Sequence, residues 1–199
     1  MEDLITLPLE GLTEDSIIKV IGVGGGGCNA VNYMHRQGLK DVSFLVGNTD
    51  RQVLIKSSVP SKLQLGPGLG AGGDPETARQ YAEESRDHIR EALNDGTQML
   101  FITAGMGGGT GTGASSVVAE VAQEMGILTV GIVTIPFAFE GKKKIEKAMT
   151  GVARLAKHVD ALLIINNEKL KQIYPELNLL NAFSKSDDVV ANAARAIAE

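Results

Sequence analysis

Residues 105–113 read Gly105-Met106-Gly107-Gly108-Gly109-Thr110-Gly111-Thr112-Gly113, six glycines in nine positions. A glycine inside regular structure costs roughly 0.5–1 kcal/mol relative to alanine, because it gives up the most backbone freedom on folding. The stretch lies between an apolar run, Met99–Thr103, and a helix-like segment beginning near Ala114. Successive glycine amides there can form an anion-binding concavity, to which the Thr110 and Thr112 hydroxyls add donors. The Gly-Lys-Ser/Thr ending of a P-loop is absent, so no loop lysine serves a phosphate. Its charge would be met by amides, helix dipoles and a bound cation.

Two further glycine-dense stretches precede this one. Gly22-Val23-Gly24-Gly25-Gly26-Gly27-Cys28-Asn29 follows the first apolar run and satisfies G-x-G-x-x-G through Gly22, Gly24 and Gly27. Such a turn lets backbone N–H groups approach a phosphate at a helix N-terminus, although a tight strand-to-helix turn would look the same. Gly66–Gly73 leads into a helix that opens at Asp74-Pro75, an N-cap followed by proline in the first turn. Two phosphate-type loops in one chain point to a polyphosphate gripped from two sides.

The rest of the chain supplies the scaffold. Apolar runs at Ile17–Val23, Val42–Val46, Met99–Thr103, Leu128–Ile135 and Ala161–Ile165 are nearly continuous, as in strands covered on both faces. Helical segments are expected at Asn29–Gln37, Pro75–Asn94, Ala114–Glu124, Lys142–His158 and Asp187–Ala198. Alternating strands and helices imply an α/β fold: a Rossmann-like, three-layer, mostly parallel sheet with right-handed crossovers and helices on both faces. Ligands bind such sheets at the carboxyl ends of the strands.

Composition narrows the function. The 199 residues are 43% hydrophobic, enough for a sizeable core. A net charge of −5 with 4% aromatics argues against nucleic acid as a partner. The basic cluster Lys142–Lys144 with Lys147 reads as the solvated face of a helix. The acidic start lacks the pattern of a signal peptide, and no apolar run approaches a membrane span, which suggests a cytoplasmic protein with no direct membrane insertion. The single cysteine, Cys28, excludes an internal disulfide and a multi-cysteine zinc site. It replaces the glycine commonly found at its position in the family described next. A packing role is expected for it over catalysis, since no histidine or carboxylate partner is evident.

Gly107–Gly113 is the tubulin signature G-G-G-T-G-[ST]-G, and in its Ala104–Ala114 form it resembles the tubulin-like bacterial division GTPases of the FtsZ family. Ile21–Asn29, Asn48–Asp50, Leu69–Pro75, Pro136–Lys142 and Lys157–Asp160 extend the resemblance nearly end to end. It implies that Gly24, Gly25, Gly26, Gly27, Cys28 and Asn29 hold phosphates together with Gly107, Gly108, Gly109, Thr110, Gly111 and Thr112. Ala71, Gly72 and Gly73 would lie near the terminal phosphate, and Glu140 would accept from the ribose hydroxyls. Lys144 stands where the family usually has arginine, so a bidentate sugar contact is not expected. Asp187 would accept the guanine N–H donors, Phe183 would stack on the base, and Asn29 and Asn167 would add polar contacts. Asn166 replaces a usual proline, which implies a differently shaped loop.

The implied ligand is GTP or GDP, with Mg2+ accompanying GTP. The implied partners are further copies in a head-to-tail polymer at the division site, with membrane anchors and division proteins contacted through other regions. Residues 1–15 are expected to be a flexible segment, 16–185 the GTP-binding domain and 186–199 the start of a central helix. In the family, hydrolysis draws on an acidic loop of the neighbouring subunit, and no such motif occurs before Glu199. The chain is therefore expected to bind GTP without turning it over at full rate, and no catalytic residue or metal ligand is assigned within it. The alternative is a Rossmann dehydrogenase with Asp50 as the ribose-binding acid. A third reading is a structural filament module without nucleotide dependence.

Overall fold

The computed structural model describes residues 16–176, 178 and 181–198. Six strands lie in one parallel sheet in the order β3-β2-β1-β4-β5-β6: β1 Ile18–Val23, β2 Ser43–Asn48, β3 Lys62–Gln64, β4 Met99–Gly105, β5 Leu128–Ile135 and β6 Ala161–Asn166. The helices are α1 Gly24–Arg36, α2 Arg51–Lys56, α3 Pro75–Glu84, α4 Arg86–Leu93, α5 Thr110–Glu124, α6 Lys142–Leu155, α7 Asn167–Ile173 and α8 Ala182–Ala198.

Strand alternation builds two cores. Ile21, Leu100, Ile102 and Val133 pack with α3–α6, whereas Val20, Phe101, Val130 and Ile132 pack with α1, α2, α7 and α8. This is the expected three-layer α/β arrangement, and it explains the apolar runs of β1, β2, β4 and β5. Strand β6, expected to be covered on both faces too, lies at the sheet edge with only Ile165 buried.

Several boundaries differ from the sequence reading. The helix expected over Pro75–Asn94 is broken at Ser85, whose hydroxyl donates to Tyr81 O at 2.8 Å and accepts from Gly66 N at 3.0 Å. That back-bonding competes with the helical ladder. Asn166 caps α7, accepting from Glu168 N at 3.0 Å. The division placed between residues 185 and 186 falls inside the continuous helix α8. The basic cluster is the solvated helix face expected, with Lys142, Lys143, Lys144 and Lys147 all exposed on α6, and Lys147 Nζ also donates to Gly73 O at 2.8 Å. The segment 1–15 lies outside the described residues. Among the described residues, no helix is long and apolar enough to cross a membrane.

Candidate functional site

Strands β1 and β4 are neighbours from which the chain turns to opposite sides of the sheet, the arrangement that opens a crevice at the carboxyl ends. Gly22 pairs with Thr103 and Val23 with Ala104, so both strands end at one level. Helix α1 starts at Gly24, directly after Val23, rather than at Asn29. Helix α5 starts at Thr110 rather than near Ala114.

The glycines permit this convergence. Gly24 has φ 74°, and a Cβ on it would stand 2.6 Å from Gly111 N. A Cβ on Gly27 would stand 2.3 Å from Thr103 O. Helices α2, α3 and α7 are capped by Asp50, Asp74 and Asn166, but α1 and α5 have no side-chain cap and no acidic residue in their first turns. Their first N–H groups thus carry uncompensated positive potential beside a cavity of about 480 Å³.

One wall of that cavity consists of Gly25, Gly26, Gly27 and Asn29 from α1, with Gly108, Gly109, Thr110 and Gly111 at the start of α5. The opposing group is made of side chains: Glu140, Lys144, Asn167, Phe183 and Asp187. Phe183 and Asp187 share one face of α8, as their i,i+4 spacing requires. The Phe183 ring meets the edges of the stacked pair Phe137 and Phe139, at 5.4 and 6.4 Å between centroids. Asn167 is buried, and its Oδ1 accepts from Ser186 Oγ at 2.8 Å. Burial pushes the Asp187 carboxyl up to about 7, only partly opposed by the Arg36 charge. Glu140 Oε1 accepts from Phe137 N at 3.0 Å, and its Oε2 accepts from Lys144 Nζ at 3.1 Å.

Seven expected positions lie outside the cavity walls: Gly24, Cys28, Ala71, Gly72, Gly73, Gly107 and Thr112. Gly24 is taken up by the crossing with Gly111. The Thr112 hydroxyl accepts from Gly107 N at 2.8 Å, so a side chain in the first turn of α5 holds the loop that leads into it. Ala71, Gly72 and Gly73 belong to the stretch leading into α3, where Gly73 is held by Lys147. Cys28 is buried in the core, its Sγ 3.6 Å from both Gly22 O and Gly47 O, either of which can accept its one S–H. Desolvation pushes its thiol up to about 12, outweighing the hydrogen bonds with Asn48 and Gly47 that lower it. The packing role expected for Cys28 agrees with this placement.

Sequence reasoning missed Thr103, Thr134 and Ser186, which also line the cavity. The two threonines sit on β4 and β5 near their carboxyl ends. Ser186 was legible as i+3 from Phe183 once the helix was started early enough. Thr49, whose hydroxyl lies 2.7 Å from that of Thr110, lay within the Asn48–Asp50 stretch of the resemblance but was given no role. Among the described residues, no group of three His, Cys, Asp or Glu side chains gathers in a way that could hold a metal ion.

The comparisons with known proteins agree with one another. The model of the Tubulin/FtsZ family, GTPase domain, matches residues 17–175. The cell division protein FtsZ of Porphyromonas gingivalis is 59% identical over 188 residues, covering 92% of this chain and 41% of that protein. That of Pseudomonas aeruginosa is 52% identical over 196 residues, covering 96% and 50%. An FtsZ dimer from M. jannaschii superposes with a TM-score of 0.86 at 42% identity, covering 91% of this chain and 54% of that one. The chain spans about half the length of the curated relatives it matches. The dehydrogenase alternative finds no support here, and Asp50 is occupied as the cap of α2, accepting from Gln52 N at 2.8 Å. The chain belongs to the Tubulin/FtsZ family, with residues 17–175 matching its GTPase domain.

Proposed function

We propose that this chain binds GTP and GDP as the nucleotide-holding part of a polymerising cell-division GTPase. One observation carries the reading: two uncapped helix N-termini, brought together by glycines, face a cavity whose other side offers a carboxylate beside an aromatic ring. Amides and helix dipoles would take the phosphates without a lysine. Asp187, ionised, would accept from the N1–H and N2–H of guanine, and the exposed side of Phe183 would stack on the base. Asn167, with its carbonyl taken by Ser186, keeps its NH₂ to donate to the guanine O6. Glu140 would accept from the ribose while Lys144 neutralises it. Asn29 would add a polar contact near the base.

The residues present offer donors for phosphate rather than a carboxylate cage for a cation. Mg2+ accompanying GTP would be held mainly by phosphate oxygens and water, and would neutralise charge there. Hydrolysis at full rate would draw on acidic residues from a neighbouring subunit. Head-to-tail self-association at the division site is part of this reading, supported by the relatives named as cell division proteins and by the dimeric FtsZ structure.

Competition binding of GTP, GDP, ATP and NAD to the purified 199-residue chain tests the reading. Guanine nucleotides should win, and mass spectrometry should identify GDP or GTP carried through purification. Preference for NAD, or indifference between bases, would overturn it. Turnover of GTP by this chain alone at the rate of a polymerising relative would overturn the shared-site part.

A further inference from the structure

Thr49 follows β2 directly and is fully buried, at 0% exposure. Its hydroxyl oxygen lies 2.7 Å from that of Thr110, which opens α5 and lines the cavity. Its carbonyl accepts from Gly70 N at 2.9 Å, so the 66–73 loop hangs on the same residue.

Two hydroxyls at this distance make one hydrogen bond between them, and either can be its donor. If Thr110 donates to Thr49, it can only accept from whatever enters the cavity. A phosphate oxygen is acceptor-only, so it requires the Thr110 proton. Thr49 must then become the donor to Thr110. We propose that Thr49 is a positioning residue that fixes the Thr110 hydroxyl as a phosphate donor. Thr49 thereby favours an oxyanion over a donor ligand without touching it, because its donation to Thr110 leaves the Thr110 proton for an acceptor in the cavity. The inference rests on the nucleotide reading above.

A double-mutant cycle tests it. Thr49→Val, Thr49→Ser, Thr110→Val and the Thr49→Val/Thr110→Val pair are titrated with GTP and GDP, and their melting temperatures are recorded. Thr49→Val should weaken nucleotide binding about tenfold, the scale of one hydrogen bond to a charged group. Thr49→Ser should stay within about threefold of the parent, because it keeps the hydroxyl. In the Thr110→Val background, Thr49→Val should cause no further loss. Additive losses, or a Thr49→Ser variant as weak as Thr49→Val, would overturn the positioning role while leaving nucleotide binding intact. Failure of the parent chain to bind either nucleotide would overturn both. Should the valine variant fold poorly, Thr49→Ala in the same cycle reads the same coupling.

Discussion

The two walls of the cavity are built on opposite principles. The glycine wall is backbone, held by close approach between α1, α5 and the ends of β1 and β4. The side-chain wall is assembled from α7 with Asn167, α8 with Phe183, Ser186 and Asp187, the first turn of α6 with Lys144, and the turn before α6 with Glu140. The first wall leaves no room for a Cβ at several points, so its geometry and the fold are one problem. The second can change a residue without disturbing the sheet, so it is free to set which base is preferred.

The sharpest way to break this contrast is Gly27→Ala. Its Cβ would press on the Thr103 carbonyl at 2.3 Å, a backbone atom that cannot rotate away. Overpacking of this kind costs about 1–3 kcal/mol or more, so the melting temperature should drop by several degrees and nucleotide binding should be lost. Gly25→Ala is the control, since a Cβ there meets nothing within 4 Å. It should fold with unchanged or slightly higher stability, as expected for Gly→Ala in a helix. Equal losses in thermal melts of the two variants would show that conformation, not contact, sets the glycine requirement.

Asp187 gives the next largest effect and belongs to the other wall. Asp187→Ala should reduce guanine preference about 10–100-fold, the scale of paired hydrogen bonds to a charged group, with little change in the fold. Because burial raises its carboxyl to about 7, the ligand-free protein holds the proton on this group up to neutral pH. The sign for stability follows: the advantage of the protonated form is fully present below the unfolded carboxylate value and is lost as pH rises through about 7. Guanine requires the ionised form, so binding near pH 7 should release a proton. Affinity should therefore fall as pH drops below about 7. Calorimetry in buffers of different ionisation enthalpy measures the proton, and Asp187→Asn should abolish it.

Lys144→Met should do least. Its ion pair with Glu140 is half-exposed on the lysine side, and such pairs contribute about 0–1 kcal/mol. GTP affinity should stay within about threefold of the parent in direct titration. A larger loss would mean that Lys144 contacts the nucleotide itself.

The same contrast explains what was legible in the sequence. The long apolar strands and the glycine wall announced themselves, because continuous burial and bare backbone both leave local patterns. The helix starts did not: Gly24–Cys28 and Thr110–Gly113 are helical although their glycines argue against it, since tertiary contact overrides propensity. The short elements β3, α2 and α7 escaped because three to seven residues carry too little periodicity. On the side-chain wall, Phe183 and Asp187 look like an ordinary core ring and a helix-start acid. Only the family resemblance singled them out, and only the fold brings them to Asn167 and Ser186.

The crossing of α1 and α5 carries a wider implication. Gly24 is needed by Gly111, Gly27 by Thr103 and Gly113 by Pro75, whose carbonyl would lie 2.0 Å from an added Cβ. These demands come from the protein's own atoms and would persist in a descendant that had stopped binding nucleotide altogether. The glycine signature is therefore a fossil of architecture as much as a badge of activity. A degenerate copy would lose Asp187 long before it lost Gly27, and the side-chain wall is where retirement would be recorded first.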